Sequence, residues 1–484
     1  MKRVRKLRGC PIPSPLIKKS PASTTTSGLK RKLSQETPTS SGVRRPLAPL
    51  RQSSSFLPRQ MLSLEQRAIV KSVVEGKENI FFTGSAGTGK SLVLKRIIES
   101  LPSCTTVITA ATGVAACQLG GVTLHSFAGF GTNVSTSEAA MKVIEKRKPI
   151  LKQWRSTTHL VIDEISMVDA EYFTLIEETA RLIRRSQNAF GGIQLVLTGD
   201  FLQLPPVNKE KFAFECVAWN RCVRKTMILK EVKRQEGDDA FVQMLQQIRV
   251  GRCDIISERA LLNTKRNDLE KNGIIATRLC THTADAQTIN NERLESLKEE
   301  ERIFDAIDSH PIPFSAKITV PEKISLKKGA QVMLTTNLDL SRKLSNGARG
   351  VIESFSSQNW PVVRFLAANE SIQICPVKFH VRLSMGEDIT ITRTQLPLQL
   401  AWAISIHKSQ GLTLDSVEVS LSRVFAEGQA YVALSRARCL SSLRVLDFDV
   451  TAVKANQRVV KYYESLMKVT PSNEFVIFKR RKTN

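Results

Sequence analysis

Apolar positions in this chain come in two spacings, and the alternation between them lays out the elements. Ile69, Val70, Val73 and Val74 recur at helical intervals behind Ser63-Leu64-Glu65-Gln66, a capping-box pattern that starts a helix near Leu62. Asn79-Ile80-Phe81-Phe82 is a short apolar run that reads as a buried strand, and 92–98 reads as the apolar side of the next helix. Further strand-like runs stand at 105–109, 159–162 and 193–198, with helix-length stretches between them. The pattern then restarts, with a strand at 273–281, a helix at 284–297, and strands at 417–421 and 443–446. Between these lie short strands at 318–320, 331–334, 350–352 and 362–365, with an Asn346-Gly347 turn.

These runs predict an α/β protein, a doubly wound RecA-like domain followed by a second α/β domain. The first occupies 61–235, and the second 236–311 and 396–466. A small β-barrel insert at 312–395 splits the second. Residues 128–155, polar and then basic (Lys142, Lys146, Arg147, Lys148, Lys152), read as a mobile surface excursion.

Charge changes the picture more than composition does. The net charge of +26 over 484 residues calls for a polyanionic partner, nucleic acid or an anionic membrane surface. No apolar run approaches the roughly 20 residues of a membrane span, so no membrane partner is expected. Residues 1–60 carry fourteen Lys or Arg against one acid, Glu36, and few apolar residues, so this basic arm is expected to be disordered. Its clusters Lys30-Arg31-Lys32 and Arg44-Arg45 suit nuclear import or DNA contact, while its acid-poor, Ser-rich composition also suits a mitochondrial transit segment. A nuclear location is expected, with the mitochondrion as a second compartment. A basic tail closes the chain at 467–484. Nine scattered cysteines without a C-x-x-C argue against a zinc ribbon or a disulfide framework, and six scattered histidines against a metal cage.

Candidate chemistry gathers at strand ends. Gly84-Ser85-Ala86-Gly87-Thr88-Gly89-Lys90-Ser91 follows the 79–82 strand and opens a helix, the arrangement that turns backbone N–H groups toward a triphosphate. In it Lys90 reaches the β/γ-phosphates of ATP and Ser91 the Mg²⁺. Gln66 has two readings, helix cap or adenine contact. Asp163-Glu164 ends an apolar strand, where Asp163 suits Mg²⁺ and Glu164 an attacking water. Gln203 follows the 193–198 strand and is placed to sense the γ-phosphate. Thr112, Gly113, His125 and Phe127 follow the 105–109 strand, where small residues and rings suit a polymer backbone. The stretches 406–415, with Gln410 and Gly411, and 431–438 suit a cleft shared between the domains. Arg234 and Arg436 are the candidates to neutralise transition-state charge.

Taken together, GSAGTGKS, TAATGVAA, TLHSFAGFG, VIDEISMVDA, LTGDFLQLPPV, LAWAISIHKSQGLTLD and YVALSRAR resemble, in order, the motifs of the petite-integration-frequency (PIF-type) DNA helicases, RecD-like members of helicase superfamily one. The resemblance runs from about Leu62 to about Phe448. It implies two RecA-like doubly wound P-loop domains with a small β-barrel inserted in the second, and ATP- and Mg²⁺-driven 5′-to-3′ translocation on single-stranded DNA, acting as a monomer at single-strand/duplex junctions. Wider substrates of the family are G-quadruplex DNA and RNA–DNA hybrids, in telomere maintenance, repair, recombination and mitochondrial DNA upkeep. It further implies Gln66 on adenine and Arg234 and Arg436 on the γ-phosphate. It places Thr112, His125, His407, Gln429, Tyr431, Arg438 and Arg444 along the DNA path, and a strand-separating wedge at 128–155. Two other classes fit the residues alone, an ATP-switched nucleic-acid adaptor without unwinding and an RNA helicase.

Overall fold

Ile80-Phe81-Phe82-Thr83-Gly84 is buried at every position, so this strand belongs in the middle of a sheet covered on both faces. The computed structural model describes residues 62–468 apart from short gaps at 132–133, 207–209, 272, 311–319, 340 and 383–389. The arm expected at 1–60 lies outside the described residues, as does the 467–484 tail beyond Lys468.

Six parallel strands form the first sheet: β1 (Ile80–Gly84), β2 (Thr106–Ala110), β3 (Val122–Thr123), β4 (His159–Asp163), β5 (Gln194–Thr198) and β6 (Lys225–Leu229), in the order β3-β2-β4-β5-β1-β6. Alternation along β1 divides the core. Ile80 and Phe82 pack with Ile69, Val73, Val93 and Ile97 from helices Leu64–Val74 and Lys90–Ser100. Phe81 faces the other way, onto Phe173, Phe201 and Trp219. β3 and β6 were not legible as strands. The first has two residues, and the second opens on Lys225, whose buried ammonium pairs with Glu78 at 2.6 Å.

The stretch 128–155 departs from the expected mobile excursion. It holds helices Ser137–Glu145 and Lys148–Ser156, whose Ala140, Ile144, Ile150 and Trp154 join the main core. Apolar residues four apart on each helix give them a face to bury, and Trp154 donates its indole N–H to the Ala128 carbonyl at 3.2 Å. Lys142, Lys146, Lys148 and Lys152 remain exposed on the opposite side.

The second parallel sheet has four strands, in the order Ala403–Ser405, Thr277–Cys280, Val417–Ser420, Leu443–Asp447. Between its first two strands in sequence, the described residues form three antiparallel sheets of five, three and two strands. Pairing carries this region past the expected 312–395, back to Arg302 and forward to Leu400, because Arg302–Asp305 pairs with Lys323–Leu326 and Leu398–Leu400 with Gln331–Leu334. It is joined to the second parallel sheet by Arg349, which is fully buried and holds Asp415 with two 2.7 Å contacts.

The end of the chain corrects the expected division at 396–466. Helix Gln457–Lys468 returns to the first sheet, where Val459, Tyr463 and Leu466 pack into the same core as Phe81 and Phe201. Tyr462 stacks on Phe214 at 4.1 Å.

Candidate active site

The phosphate loop is shaped by glycines at the positions that need them. Gly87 (φ +88°) and Gly89 (φ +84°) are left-handed, and a Cβ on Gly87 would meet Arg234 at 2.6 Å. Lys90 opens the helix, and its ammonium donates to the carbonyls of Gly84 (2.8 Å) and Ser85 (3.1 Å) within the loop. Burial holds the Lys90 pKa below its usual range, against the raising influence of Asp200 and Glu164. Thr88 donates its hydroxyl to the Ser85 carbonyl at 2.9 Å. Gln66 is buried and supports this loop. Its side-chain oxygen accepts the Ser63 N–H (3.1 Å), closing the capping box, and its amide donates to the Thr88 carbonyl (3.2 Å). The structure thus gives Gln66 a bracing role; the sequence alone left cap and adenine contact open.

The paired carboxylates stand at the end of β4, on the same sheet edge. Glu164 is a non-glycine residue in the left-handed region (φ 51°), a strain that the surrounding structure must hold. Its N–H donates to Asp163 Oδ1 at 2.8 Å. Burial pushes Asp163 up to about 6. Burial and then the neighbouring Asp163 push Glu164 up to about 7.

Gln410, from the second parallel domain, donates to Glu164 Oε2 at 2.8 Å and to Gln203 Oε1 at 3.4 Å. Gln203 in turn donates to Asp200 Oδ2 at 3.3 Å. Asp200 is fully buried, gripped by Arg249 at 3.0 and 2.6 Å, and it also accepts from Tyr463 at 3.3 Å. Burial alone would raise the Asp200 pKa, but the two-pronged Arg249 contact outweighs it and holds it low. Tyr463 closes the chain of contacts back to β1 through Thr83, 2.7 Å away. The sequence pointed to Glu164, Gln203 and Gln410. It missed Asp200, Arg249 and Tyr463, although the acid in Gly199-Asp200 at the end of an apolar strand was a readable signal.

Both candidate arginines lie at this junction, Arg436 buried and Arg234 half-buried. Arg234 donates to the Ser435 carbonyl at 2.9 Å, and burial lowers its pKa to about 9. Arg436 donates to Val432 O (2.8 Å), Ser409 O and Leu412 O (3.3 Å each) and the Ser435 hydroxyl (2.8 Å), with a pKa lowered by burial to about 10. Gln235 also crosses the junction, donating to the Ala437 carbonyl at 2.9 Å. Ser91 is exposed on the first turn after Lys90, and Gly411 (φ +79°) is exposed beside Gln410.

The candidate DNA residues separate into two groups. Thr112 caps the helix Gly113–Gln118, with Thr112 and Gly113 half-exposed, and His125, His407 and Arg438 are exposed. Three others are buried, as a DNA path does not allow, and a fourth, Arg444, is half-buried and already engaged. Phe127 is 1% exposed and packs on Trp154 at 4.5 Å, because it lies on the inner side of the short helix Leu124–Ala128. Gln429 is buried, its oxygen accepting the N–H groups of Phe425 and Ala426. Tyr431 is buried against the phosphate loop, its hydroxyl accepting the Ala86 N–H at 2.8 Å. Arg444 is spent on the Asn267 carbonyl (2.7 Å) and Glu418 (3.3 Å). Two rings the sequence reading passed over stand next to exposed histidines of the parallel domains. Tyr172 stacks on His125 at 4.3 Å, beside the end of β2 and β3, and the exposed Phe425 stacks on His282 at 5.3 Å, beyond the ends of the second sheet.

Residues 61–259 match the PIF1-like helicase family, and residues 314–355 match the 2B domain of DNA helicase Pif1. The chain is 50% identical over 416 residues to the ATP-dependent DNA helicase PIF1 of Xenopus laevis, covering 84% of this chain and 65% of that protein. It therefore spans a little under two thirds of the length of such relatives. Among solved structures it is similar to the Pif1 helicase of Candida albicans, with 36% identity, a TM-score of 0.71, and 84% of this chain and 99% of that one covered. It is also similar to Bacteroides sp Pif1 in complex with ADP-AlF4 (29% identity, TM-score 0.74, 87% and 100% covered) and to Bacteroides Pif1 bound to ssDNA (28% identity, TM-score 0.62, 87% and 100% covered). With the phosphate loop, the paired carboxylates and the second parallel domain joined in one cleft, this chain belongs to the PIF1-like helicase family.

Proposed function

We propose that this chain is an ATP-dependent motor that moves 5′-to-3′ on single-stranded DNA and separates duplexes at junctions. One observation carries the reading: Gln410, from the second domain, donates to Glu164, the carboxylate suited to activate water. Any motion between the domains must change the surroundings of that carboxylate, so hydrolysis and domain movement are linked at one atom. Solved structures of Bacteroides Pif1 with ADP-AlF4 and bound to ssDNA, and of forked-dsDNA unwinding by two coordinating Pif1 helicases, support the same partners here.

In this account ATP phosphates replace the Gly84 and Ser85 carbonyls as partners of Lys90. Glu164, with its pKa near neutrality, takes a proton from water, and Gln203 and Gln410 orient it. Ser91 and Asp163 would hold Mg²⁺. Their hard oxygen donors fit that ion, and no cluster of three or more metal-ligating side chains exists among the described residues, so the ion would arrive with the phosphates. Magnesium would supply neutralising charge for the phosphates. Arg234 and Arg436 sit where they would sense that charge once released from their carbonyl partners. The His125–Tyr172 and His282–Phe425 pairs offer faces for bases, one on each domain. Nuclear and mitochondrial DNA upkeep, including G-quadruplex and RNA–DNA hybrid substrates, remains part of this reading through the family resemblance and the basic clusters of residues 1–60.

The test is DNA-stimulated ATP hydrolysis by the native chain and by Glu164→Gln. The reading expects strong stimulation by single-stranded DNA, with turnover in the variant down by about 10²-fold or more while ATP still binds. Hydrolysis at the native rate by the variant would remove Glu164 from the role.

A further inference from the structure

At the edge of the first sheet opposite the phosphate loop lies a cleft of about 550 Å³, lined by Arg155, Ile183, Arg184, Arg185, Ser186 and Gly191. Its position follows from topology. Arg155 lies in the last turn of the helix before β4, Gly191 precedes β5, and Arg184 to Ser186 end the helix that carries the chain back from the nucleotide edge. The strands are parallel and five residues long, so the cleft stands roughly 15 Å or more from the carboxylates.

Three guanidinium groups in one cleft repel each other, and no salt bridge among the described residues engages any of them. Arg184 has a structural task. Its Nε donates to Gly191 O (2.7 Å) and its Nη1 to the carbonyls of Trp154, Arg155 and Thr157 (2.8 to 2.9 Å), at the C-terminal end of helix Lys148–Ser156. Basic residues are favourable at such an end, which accounts for Arg184. It does not account for Arg155 and Arg185, which are exposed and donate side-chain hydrogen bonds to no described residue, nor for Nη2 of Arg184, which has no partner there either. Arg185 moreover occupies a left-handed cap position (φ 49°), where glycine is the usual residue. Burial lowers the Arg184 pKa with no carboxylate to restore it, in keeping with a missing anion.

We infer that this cleft binds backbone phosphates of duplex nucleic acid, as a second contact remote from the motor's strand path. No aromatic residue lines it, so it offers nothing for an unstacked base and suits a strand whose bases are hidden in a helix. The inference rests on the reading of this chain as a nucleic-acid enzyme, and its test separates the two.

The experiment measures binding of the full chain, without ATP, to a single-stranded oligonucleotide of about 10 residues and to the same strand carrying a duplex of about 20 base pairs, each across a salt series. The Arg155→Ala/Arg185→Ala chain should bind the duplex-bearing substrate roughly tenfold more weakly, with the slope of log affinity against log salt smaller by about 2, while the short strand binds as before. Arg155→Lys/Arg185→Lys should recover most of the slope, which a folding defect would not. Equal loss on both substrates, or no loss on either, overturns the inference. So does calorimetry in which pyrophosphate binds the native chain and not the variant while duplex affinity is unchanged, because that marks a site for small phosphates only. Failure of the native chain to bind the single strand would instead sink the motor reading.

Discussion

The hydroxyl of Tyr431 accepts the backbone N–H of Ala86 at 2.8 Å, which places a side chain of the second domain inside the phosphate loop of the first. Tyr431 is 2% exposed, and burial pushes its pKa up to about 12, so the hydroxyl stays neutral. Tyr431→Phe leaves the Ala86 N–H buried without a partner, at a cost of about 1–3 kcal/mol. A lowered denaturation midpoint and a raised KM for ATP, with single-stranded DNA affinity unchanged, are the expected results. Weakened DNA binding with native ATP kinetics would return Tyr431 to the DNA path.

Tyr463 ties the last helix to the nucleotide edge, touching Thr83, Phe201 and Asp200 at 2.7, 3.2 and 3.3 Å. Tyr463→Phe keeps the ring that Arg249 covers at 4.9 Å and deletes only the hydroxyl. It should cost about 1–2 kcal/mol in urea unfolding and lower turnover by about tenfold through Asp200 and Gln203. A variant of native stability and turnover would show the hydroxyl to be idle.

The carboxylate pair sets a pH dependence. Burial raises both pKa values above those of the unfolded chain, to about 6 for Asp163 and about 7 for Glu164, and the two titrate as a pair. Without nucleotide, the pair's contribution to stability is complete below the ordinary carboxylate pKa and is lost as pH rises toward 7. Hydrolysis needs the ionised base and should rise over the same range. Melting and ATPase profiles from pH 5 to 8 check both, and Glu164→Gln should flatten the stability change. A native profile flat in both would contradict the raised values.

The two groups of aromatic residues give opposite signatures. Phe127→Ala should cost about 3–5 kcal/mol of stability as a core deletion. Phe425→Ala, at a site 58% exposed, should leave stability nearly unchanged and weaken single-stranded DNA binding by about 1–3 kcal/mol. The reverse pattern would restore the sequence-based assignment of Phe127.

Local signals carried far into this fold. The capping box at Ser63–Gln66, the buried run of β1 and the glycines at 87 and 89 each name a structure that the local chain alone requires. What stayed hidden depends on partners distant in sequence. Tyr463 meets Thr83 across 380 positions, and Arg249 meets Asp200 across 49, so no short pattern announces either. Phe127 and Tyr431 looked like DNA residues because they lie in motif stretches, but which side of a short helix faces the core is decided by packing. The helices at 128–155 were obscured by their lysines, which mark the outer face while Ile144 and Trp154 mark the inner one.

A motor of this kind moves in one direction. The most direct test is ATP-dependent strand separation on duplexes carrying a single-stranded tail at either the 5′ or the 3′ end, with Lys90→Ala as the control. Unwinding of the 5′-tailed duplex alone, abolished in the variant, is the expected result. Unwinding of the 3′-tailed duplex would contradict the direction, and ATP binding with no unwinding of either would leave an ATP-switched binding protein in place of the motor.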